Sequence, residues 1–369
     1  MPPAEKILVR GVNWLGDAVM TTPALQRLRE ARPDAHISLL THEKLCDLWL
    51  RHPSLNEVMT FKAGEGVFHL AGRLRGEGFD TAVVFPNSFR SVLETFLAKI
   101  PRRIGYRGNA RSVLLTQTLP RRAGDVRMHK RSHGEIDRRI AQNAARETFP
   151  PSAHHAHDYL HLVAALGAKA APLPPLLHVG EEEVAAVRAR FDLPDGPPWF
   201  ALNPGAEYGG AKRWPEDRFV EAAVQMHERT ACRWLILGGP ADRELADRIA
   251  SEIAKHTGQP VTNLAARTSL RELCAVLKAC ALLLTNDTGP MHVAAAVGTP
   301  VVVPFGSTSP ELTGPWSAPG RPHQIIVGNV SCAPCFRREC PVDFRCMTGI
   351  SAAEVAQAAW RVWQARPGS

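Results

Sequence analysis

The sequence predicts an α/β protein made of two doubly wound parallel-sheet domains in tandem. Three observations carry this. A strand–turn–helix rhythm begins at the N-terminus, the same rhythm starts again near residue 200, and a Pro-rich stretch at 171–177 divides the two runs. The 369 residues, 45% hydrophobic and 22% charged, give each half enough apolar material for a core of its own and exclude disordered, collagen-like and coiled-coil chains. No apolar run approaches the roughly 18 to 20 residues needed to cross a bilayer. Glu5, Lys6, Arg10 and Asp17 interrupt any secretory apolar core, so the expectation is a soluble, cytoplasmic protein.

In the first half, residues 7–10 form a short apolar strand, 11–16 a turn and about 17–31 a helix, with further strands at 37–40 and 81–85. The expected N-terminal domain is 1–175. The expected second domain, 176–350, holds strands at 200–202, 234–237, 281–285 and 300–304 and helices at 215–229, 242–255 and 270–279. A closing helix at about 351–364, within a segment 351–369, is expected to pack back on the N-terminal domain. Two such domains bind ligands between them, at the carboxyl ends of their strands.

The net charge of +8 is unevenly placed. Residues 90–139 hold thirteen Lys or Arg against Glu94, Asp125, Glu135 and Asp137, a net of +9 that leaves the rest of the chain at −1. Such a field suits nucleic acid, an anionic membrane surface or a phosphorylated substrate, and equally a solvated face. Of eight cysteines, Cys46, Cys232, Cys274 and Cys280 read as buried small hydrophobes, whereas Cys332, Cys335, Cys340 and Cys346 cluster. Four soft thiolates so close suit a structural zinc or an iron–sulfur cluster, with a thiol-lined loop as the alternative.

Three loops carry candidate chemistry. Thr285-Asn286-Asp287-Thr288-Gly289-Pro290-Met291-His292 follows a buried strand and opens an Ala-rich helix, whose first amides favour a diphosphate. The alternative is that Asp287 and Thr288 only cap that helix. A glycine-rich loop at 203–213 also follows a strand and brings Lys212 and Arg213 as phosphate-neutralising cations, or is merely a basic surface turn. In the N-terminal half, Asp17 closes the turn that begins at Gly11, as a helix cap or as a general base. Neither a P-loop nor a dinucleotide fingerprint is present.

At these residues the chain resembles glycosyltransferase family 9, the bacterial lipopolysaccharide heptosyltransferases, and within it the enzymes that add the second heptose. The likeness rests on Gly11 to Pro23, on Lys212-Arg213-Trp214-Pro215, on Asn286 to His292 and on the cysteine run Cys332 to Pro341, in the family's order. The resemblance implies a GT-B fold, two Rossmann-like domains facing across a cleft. It implies inverting, metal-independent transfer of heptose from ADP-L-glycero-β-D-manno-heptose to a heptosylated Kdo2–lipid A, at the cytoplasmic face of the inner membrane, with no cofactor required. Asp17 then matches the base and Lys212 the phosphate-binding lysine, both counted as catalytic. Asp287 matches the acid of the donor loop.

Arg213, Asp242, Thr288, Gly289 and His292 complete the expected donor set, and Asn13, Arg90, Arg103, Arg107, Arg111 and Arg131 the acceptor set. Asp287, itself anionic, is expected to meet heptose hydroxyls or to orient Lys212. The ribose contact falls to Asp242 or Glu244. The family's hydroxyl-rich phosphate loop is here Ala206-Glu207-Tyr208-Gly209-Gly210, so backbone amides have to replace hydroxyls. Two other readings remain: heptosyltransferase I or another GT-B enzyme using a different sugar nucleotide, and a non-catalytic anion- or nucleic-acid-binding module. No recognised nucleic-acid motif supports the last, so no nucleic-acid partner is expected.

Overall fold

The computed structural model describes residues 4–108, 110–316 and 323–366. The chain divides into two compact units, Met1–Asp125 with Ser152–His178, and Val126–Pro151 with Val179–Ser369.

The first unit holds strands β1 (Lys6–Arg10), β2 (His36–His42), β3 (Glu57–Phe61), β4 (Thr81–Val84), β5 (Arg102–Tyr106) and β6 (Gln117–Leu119), in the order β3-β2-β1-β4-β5-β6. The second holds β7 (Trp199–Asn203), β8 (Arg233–Ile236), β9 (Thr262–Asn263), β10 (Leu282–Thr285), β11 (Val301–Phe305) and β12 (Gln324–Val327). Their order, β12-β11-β10-β7-β8-β9, is the same topology read from the other edge. Every strand pair is parallel. The central strands are continuous apolar runs because helices cover both faces; β7, β10 and β11 are buried at every position.

The helix expected over 17–31 is two: α1 (Leu15–Met20) and α2 (Thr22–Ala31). Pro23 sits at the start of α2, where its missing N–H costs nothing, and Thr21 turns the chain by donating its hydroxyl to the Ala18 carbonyl at 2.6 Å. The first unit continues with α3 (Val67–Glu77) and α4 (Phe89–Leu97). Next comes α5 (His133–Ala141), which belongs to the second unit, and then α6 (Ala156–Ala164), which returns to the first. The second unit adds α7 (Glu181–Arg190), α8 (Glu216–Thr230), α9 (Arg243–Thr257), α10 (Leu270–Ala279), α11 (Gly289–Val297), α12 (Pro310–Thr313), α13 (Arg345–Thr348) and α14 (Ala352–Gln364).

One expectation about organisation is corrected. Residues 126–151 lie in the second unit although the chain returns to the first at Ser152. Long-range bonds hold them there: Arg131 N–H donates to the Cys335 carbonyl at 3.0 Å, Arg139 Nε to the Ser331 carbonyl at 2.7 Å, and Arg146 grips Glu311 through both terminal nitrogens at 2.9 and 3.1 Å. The basic stretch 90–139 is thereby shared between the two units. The last helix, α14, packs on α8 and on β10, β11 and β12. Its apolar face, including Val355, Ala359 and Val362, is part of the second core, so it completes that sheet's cover.

The segment carrying the clustered cysteines is packed tightly against this core. A Cβ at Gly328 would lie 1.9 Å from the Cys346 carbonyl oxygen, and one at Gly306 2.5 Å from the Met347 sulfur. Gly328→Ala is expected to lower the melting temperature by the equivalent of about 1–3 kcal/mol of overpacking strain. A melting curve overlaying that of the wild type would contradict this packing.

Candidate active site

In each sheet the strand order reverses between two neighbours, β1 and β4 in the first and β7 and β10 in the second, and doubly wound sheets bind ligands at that point. All three candidate loops leave these switch-point strands.

In the second unit the loops after β7 and β10 are stitched together. Thr285 pairs with Asn203 in the strand register, and the Asn203 amide nitrogen donates to the hydroxyls of Thr285 and Thr288, both at 3.3 Å. Buried Asn286 accepts from the Trp214 N–H at 2.9 Å and donates to the Pro204 carbonyl at 2.7 Å. These bonds fix the ends of the glycine-rich loop. Lys212 is thereby aimed at Asp287, Nζ to Oδ2 at 2.6 Å, and its ammonium also stands 4.8 Å from the Tyr208 ring centre. The same Asp287 oxygen accepts from the Thr308 hydroxyl at 2.6 Å.

This geometry separates readings that the sequence left open. Asp287 does not cap α11: its carboxylate is held by Lys212 and Thr308, and neither it nor the N-cap residue Thr288 makes a side-chain cap. The α11 N-terminus therefore keeps amides free of any side-chain cap beside an oriented lysine, a combination suited to a diphosphate. Thr308 lay outside the expected site; its signal was the hydroxyl run Ser307-Thr308-Ser309, one glycine after the apolar strand β11. His292 is buried on α11, and burial pushes its pKa down to about 4 against the opposing pull of Asp287, so it stands as a neutral imidazole.

After β8, Asp242 accepts from the Gly239 N–H at 3.0 Å and pairs with Arg213 at 3.3 Å. A Cβ at Gly205 would fall 2.3 Å from the Asp242 carboxylate, so glycine is needed where the two loops meet. Gly209 has φ 151°, and a Cβ there would lie 2.4 Å from the Arg338 carbonyl oxygen, which in turn accepts from the Ala211 N–H at 2.9 Å. The cysteine-bearing loop thus braces the glycine-rich loop. The Tyr208 hydroxyl adds a second brace by donating to the Phe336 carbonyl at 2.9 Å.

In the first unit Asp17 is the third residue of α1, whose N-cap is Trp14, so the helix-cap reading does not hold for it either. It is half-buried, and its charge adds to burial in raising the pKa of the enclosed Tyr159 hydroxyl. The turn leading to Asp17 is anchored from below by Arg10, which donates to the Gly11 carbonyl at 2.6 Å and reaches the Asn13 side chain at 3.4 Å. Arg10 is itself held by fully buried Glu94 at 2.9 Å and lies over the Phe61 ring. The signal for Arg10 was a charge directly after the apolar run Ile7-Leu8-Val9.

The expected acceptor arginines do not form one set. Arg111 is buried and gives its donors to the carbonyls of Tyr106 and Pro86 and to Asn87; it pins the strand ends and has no surface for a ligand. Arg103 is tied to the carbonyls of Ile100, Pro101 and Leu114. Arg131 lies in the second unit, bound to the Cys332 carbonyl and to Glu147. Arg90 reaches Glu94 and the Glu65 carbonyl but stays half exposed. Asn13 and Arg107 are exposed, and among the described residues no hydrogen bond or ion pair engages the Arg107 side chain.

Of the clustered cysteines, for which the sequence left open a structural metal or a thiol-lined loop, Cys332, Cys335 and Cys346 are buried and Cys340 is partly covered. Cys332 and Cys335 pack with Ile136 in an apolar cluster, and the Cys340 sulfur accepts from the Phe344 N–H at 3.2 Å. Burial first, and then neighbouring thiols, raise the pKa values of Cys332, Cys335 and Cys346. Among the described residues no three His, Cys, Asp or Glu are grouped to hold an ion. Of the four scattered cysteines, three are buried as expected and Cys46 is only partly covered.

Comparison with known proteins decides the family. The model of glycosyltransferase family 9 (heptosyltransferase) matches residues 129–344. The lipopolysaccharide heptosyltransferases 2 of Salmonella typhimurium and Escherichia coli are each 32% identical over 331 residues, 88% of this chain and 89% of theirs. The chain belongs to glycosyltransferase family 9. This family 9 enzyme also matches the structure of E. coli ADP-heptose LPS heptosyltransferase II with a TM-score of 0.75 and 27% identity, over 97% of this chain and 98% of the other. A family 9 glycosyltransferase from Veillonella parvula shares the fold, with a TM-score of 0.76 at 21% identity and 98% coverage of both chains. The two Rossmann-type sheets are those of the GT-B architecture, and the family 9 enzyme is a glycosyltransferase.

Neutral histidines set its acid sensitivity. Burial holds His52, His292 and His323 near pKa 4, and the ring nitrogens of His52 and His323 accept backbone N–H groups that protonation would displace. The unfolded chain, with ordinary histidines near 6.5, binds more protons between these values, so stability falls as pH drops from about 6.5 to 4. Melting temperatures across that range should decline, and His323→Asn should flatten part of the slope. A constant melting temperature from pH 7 to 4 would contradict the assignment.

Proposed function

We propose that this enzyme transfers L-glycero-D-manno-heptose from ADP-heptose to the first heptose of the lipopolysaccharide inner core, with inversion and without a divalent metal. The reading is supported by 32% identity to heptosyltransferases 2 across most of the chain. The observation that carries the mechanism is the Lys212–Asp287–Thr308 constellation beside the uncapped start of α11.

As ADP departs, negative charge grows on its diphosphate. Lys212, joined by Arg213 and the amides of Thr288 and Gly289, meets that charge with donors fixed in advance. Asp287 keeps the lysine extended toward the phosphates, while Asp242 takes the ribose hydroxyls. Asp17 accepts the proton of the acceptor hydroxyl as that oxygen attacks C1. A carboxylate in a first helical turn is a weak base in the ground state, so the proton moves late, once the attacking oxygen has become more acidic. Asn13, Arg90 and Arg107 are the acceptor contacts we retain, since their side chains keep exposed surface. Placement at the cytoplasmic face of the inner membrane follows from a lipid-linked acceptor; among the described residues no helix is long and apolar enough to cross a membrane.

Release of ADP from ADP-heptose, compared with UDP from UDP-sugars, tests the donor; release of UDP alone would overturn it. Asp17→Asn should lower kcat by about 10²–10⁴-fold with donor affinity nearly unchanged. Lys212→Ala should weaken ADP-heptose binding and lower kcat by about 10²–10³-fold. Near-normal turnover of either variant would remove that residue from its role. Turnover should survive chelator treatment; loss restored by Mg²⁺ would contradict the metal-free reading.

A further inference from the structure

A cavity of about 360 Å³ opens on the second unit, formed by residues 126–149 and the cysteine-bearing loop. Four arginines and His129 line it against two carboxylates, and both carboxylates are already engaged. Glu135 accepts from the Ser132 amide and hydroxyl and from His129, and Glu147 is bound by Arg131. Two of the arginines are structural. Arg131 is buried and holds the Cys332 carbonyl at 2.8 Å, and Arg139 holds the carbonyls of Ser331 and Ala145.

The other two, Arg127 and Arg138, are exposed, and among the described residues no hydrogen bond or ion pair engages either guanidinium. Phe149 and Phe336 supply the apolar wall. An unneutralised pair of guanidiniums, on a frame fixed by two buttressed ones and beside two aromatic rings, is suited to a phosphate carried on a sugar ring: Arg forks bind phosphate oxygens, and the rings cover carbon.

We infer that this cavity is a phosphosaccharide subsite, taking a phosphate monoester borne by the acceptor saccharide. The identity of the ligand rests on the transferase reading above. The site also has a direct link to the donor loop, because the Phe336 carbonyl holds the Tyr208 hydroxyl at 2.9 Å and the Tyr208 ring lies beside the Lys212 ammonium.

The test is the double variant Arg127→Gln/Arg138→Gln, whose removed charges hold nothing in the fold. Turnover is measured with a core saccharide acceptor phosphorylated on its sugar and with the same acceptor after phosphatase treatment. The expected result is a KM for the phosphorylated acceptor raised about 10-fold or more, with kcat, the KM for ADP-heptose and the KM for the dephosphorylated acceptor unchanged. An equal KM rise for both acceptors would overturn the phosphate assignment, and no rise for either would overturn the subsite. Calorimetric titration with mannose 6-phosphate stands independently of turnover. Binding by the wild type that is lost in the double variant supports the cavity even if heptosyl transfer fails, and equal binding by both, or by neither, overturns it.

Discussion

The ion pair between Lys212 and Asp287 is the contact on which the functional reading depends. Its ammonium would otherwise be a mobile charge on a surface turn. Asp287 and Thr308 convert it into a donor with a fixed direction, at the reversal point of a parallel sheet and beside a helix start that no side chain caps. Preorganisation of this kind matters most where charge develops during the reaction, since no reorganisation is then required at the transition state. The surrounding amide network of Asn203 and Asn286 keeps both loops in register, and the loop of Phe336 and Arg338 supports them from the other side.

The first unit uses the same topology for a different purpose. Where the second unit sets Lys212 beside an uncapped helix start, the turn after β1 presents a carboxylate, Asp17, on a short helix. Its foundation is buried charge: Arg10 and Glu94 neutralise each other beneath the turn, and Arg10 passes that order upward to Gly11 and Asn13. Removing Glu94 would leave the buried Arg10 charge uncompensated in the interior, which is costly.

Much of this was legible in the sequence. Apolar runs ending in glycine or in Asn-Asp-Thr-Gly mark central parallel strands and their carboxyl-end loops, and the loops bearing Asp17, Lys212 and Asp287 do leave the switch-point strands. What escaped was decided by contacts distant in sequence. Residues 126–151 read as part of the first domain until Arg131, Arg139 and Arg146 are seen bonded to residues 311–335. The amphipathic face of α14 announces burial without saying against which core. Arg111 resembled its neighbours in a basic stretch, yet three acceptors enclose it; no local pattern separates a structural arginine from a ligand-binding one. The four clustered cysteines left a metal and a thiol-lined loop both open, and only the fold shows Cys332 and Cys335 packed with Ile136.

A crystal structure of the protein with ADP bound tests the central claim most directly. The account predicts the diphosphate within hydrogen-bonding distance of Lys212 Nζ and of the first amides of α11, with Asp287 still contacting the lysine. Nucleotide bound elsewhere, with Lys212 and the α11 amides left untouched, would contradict it.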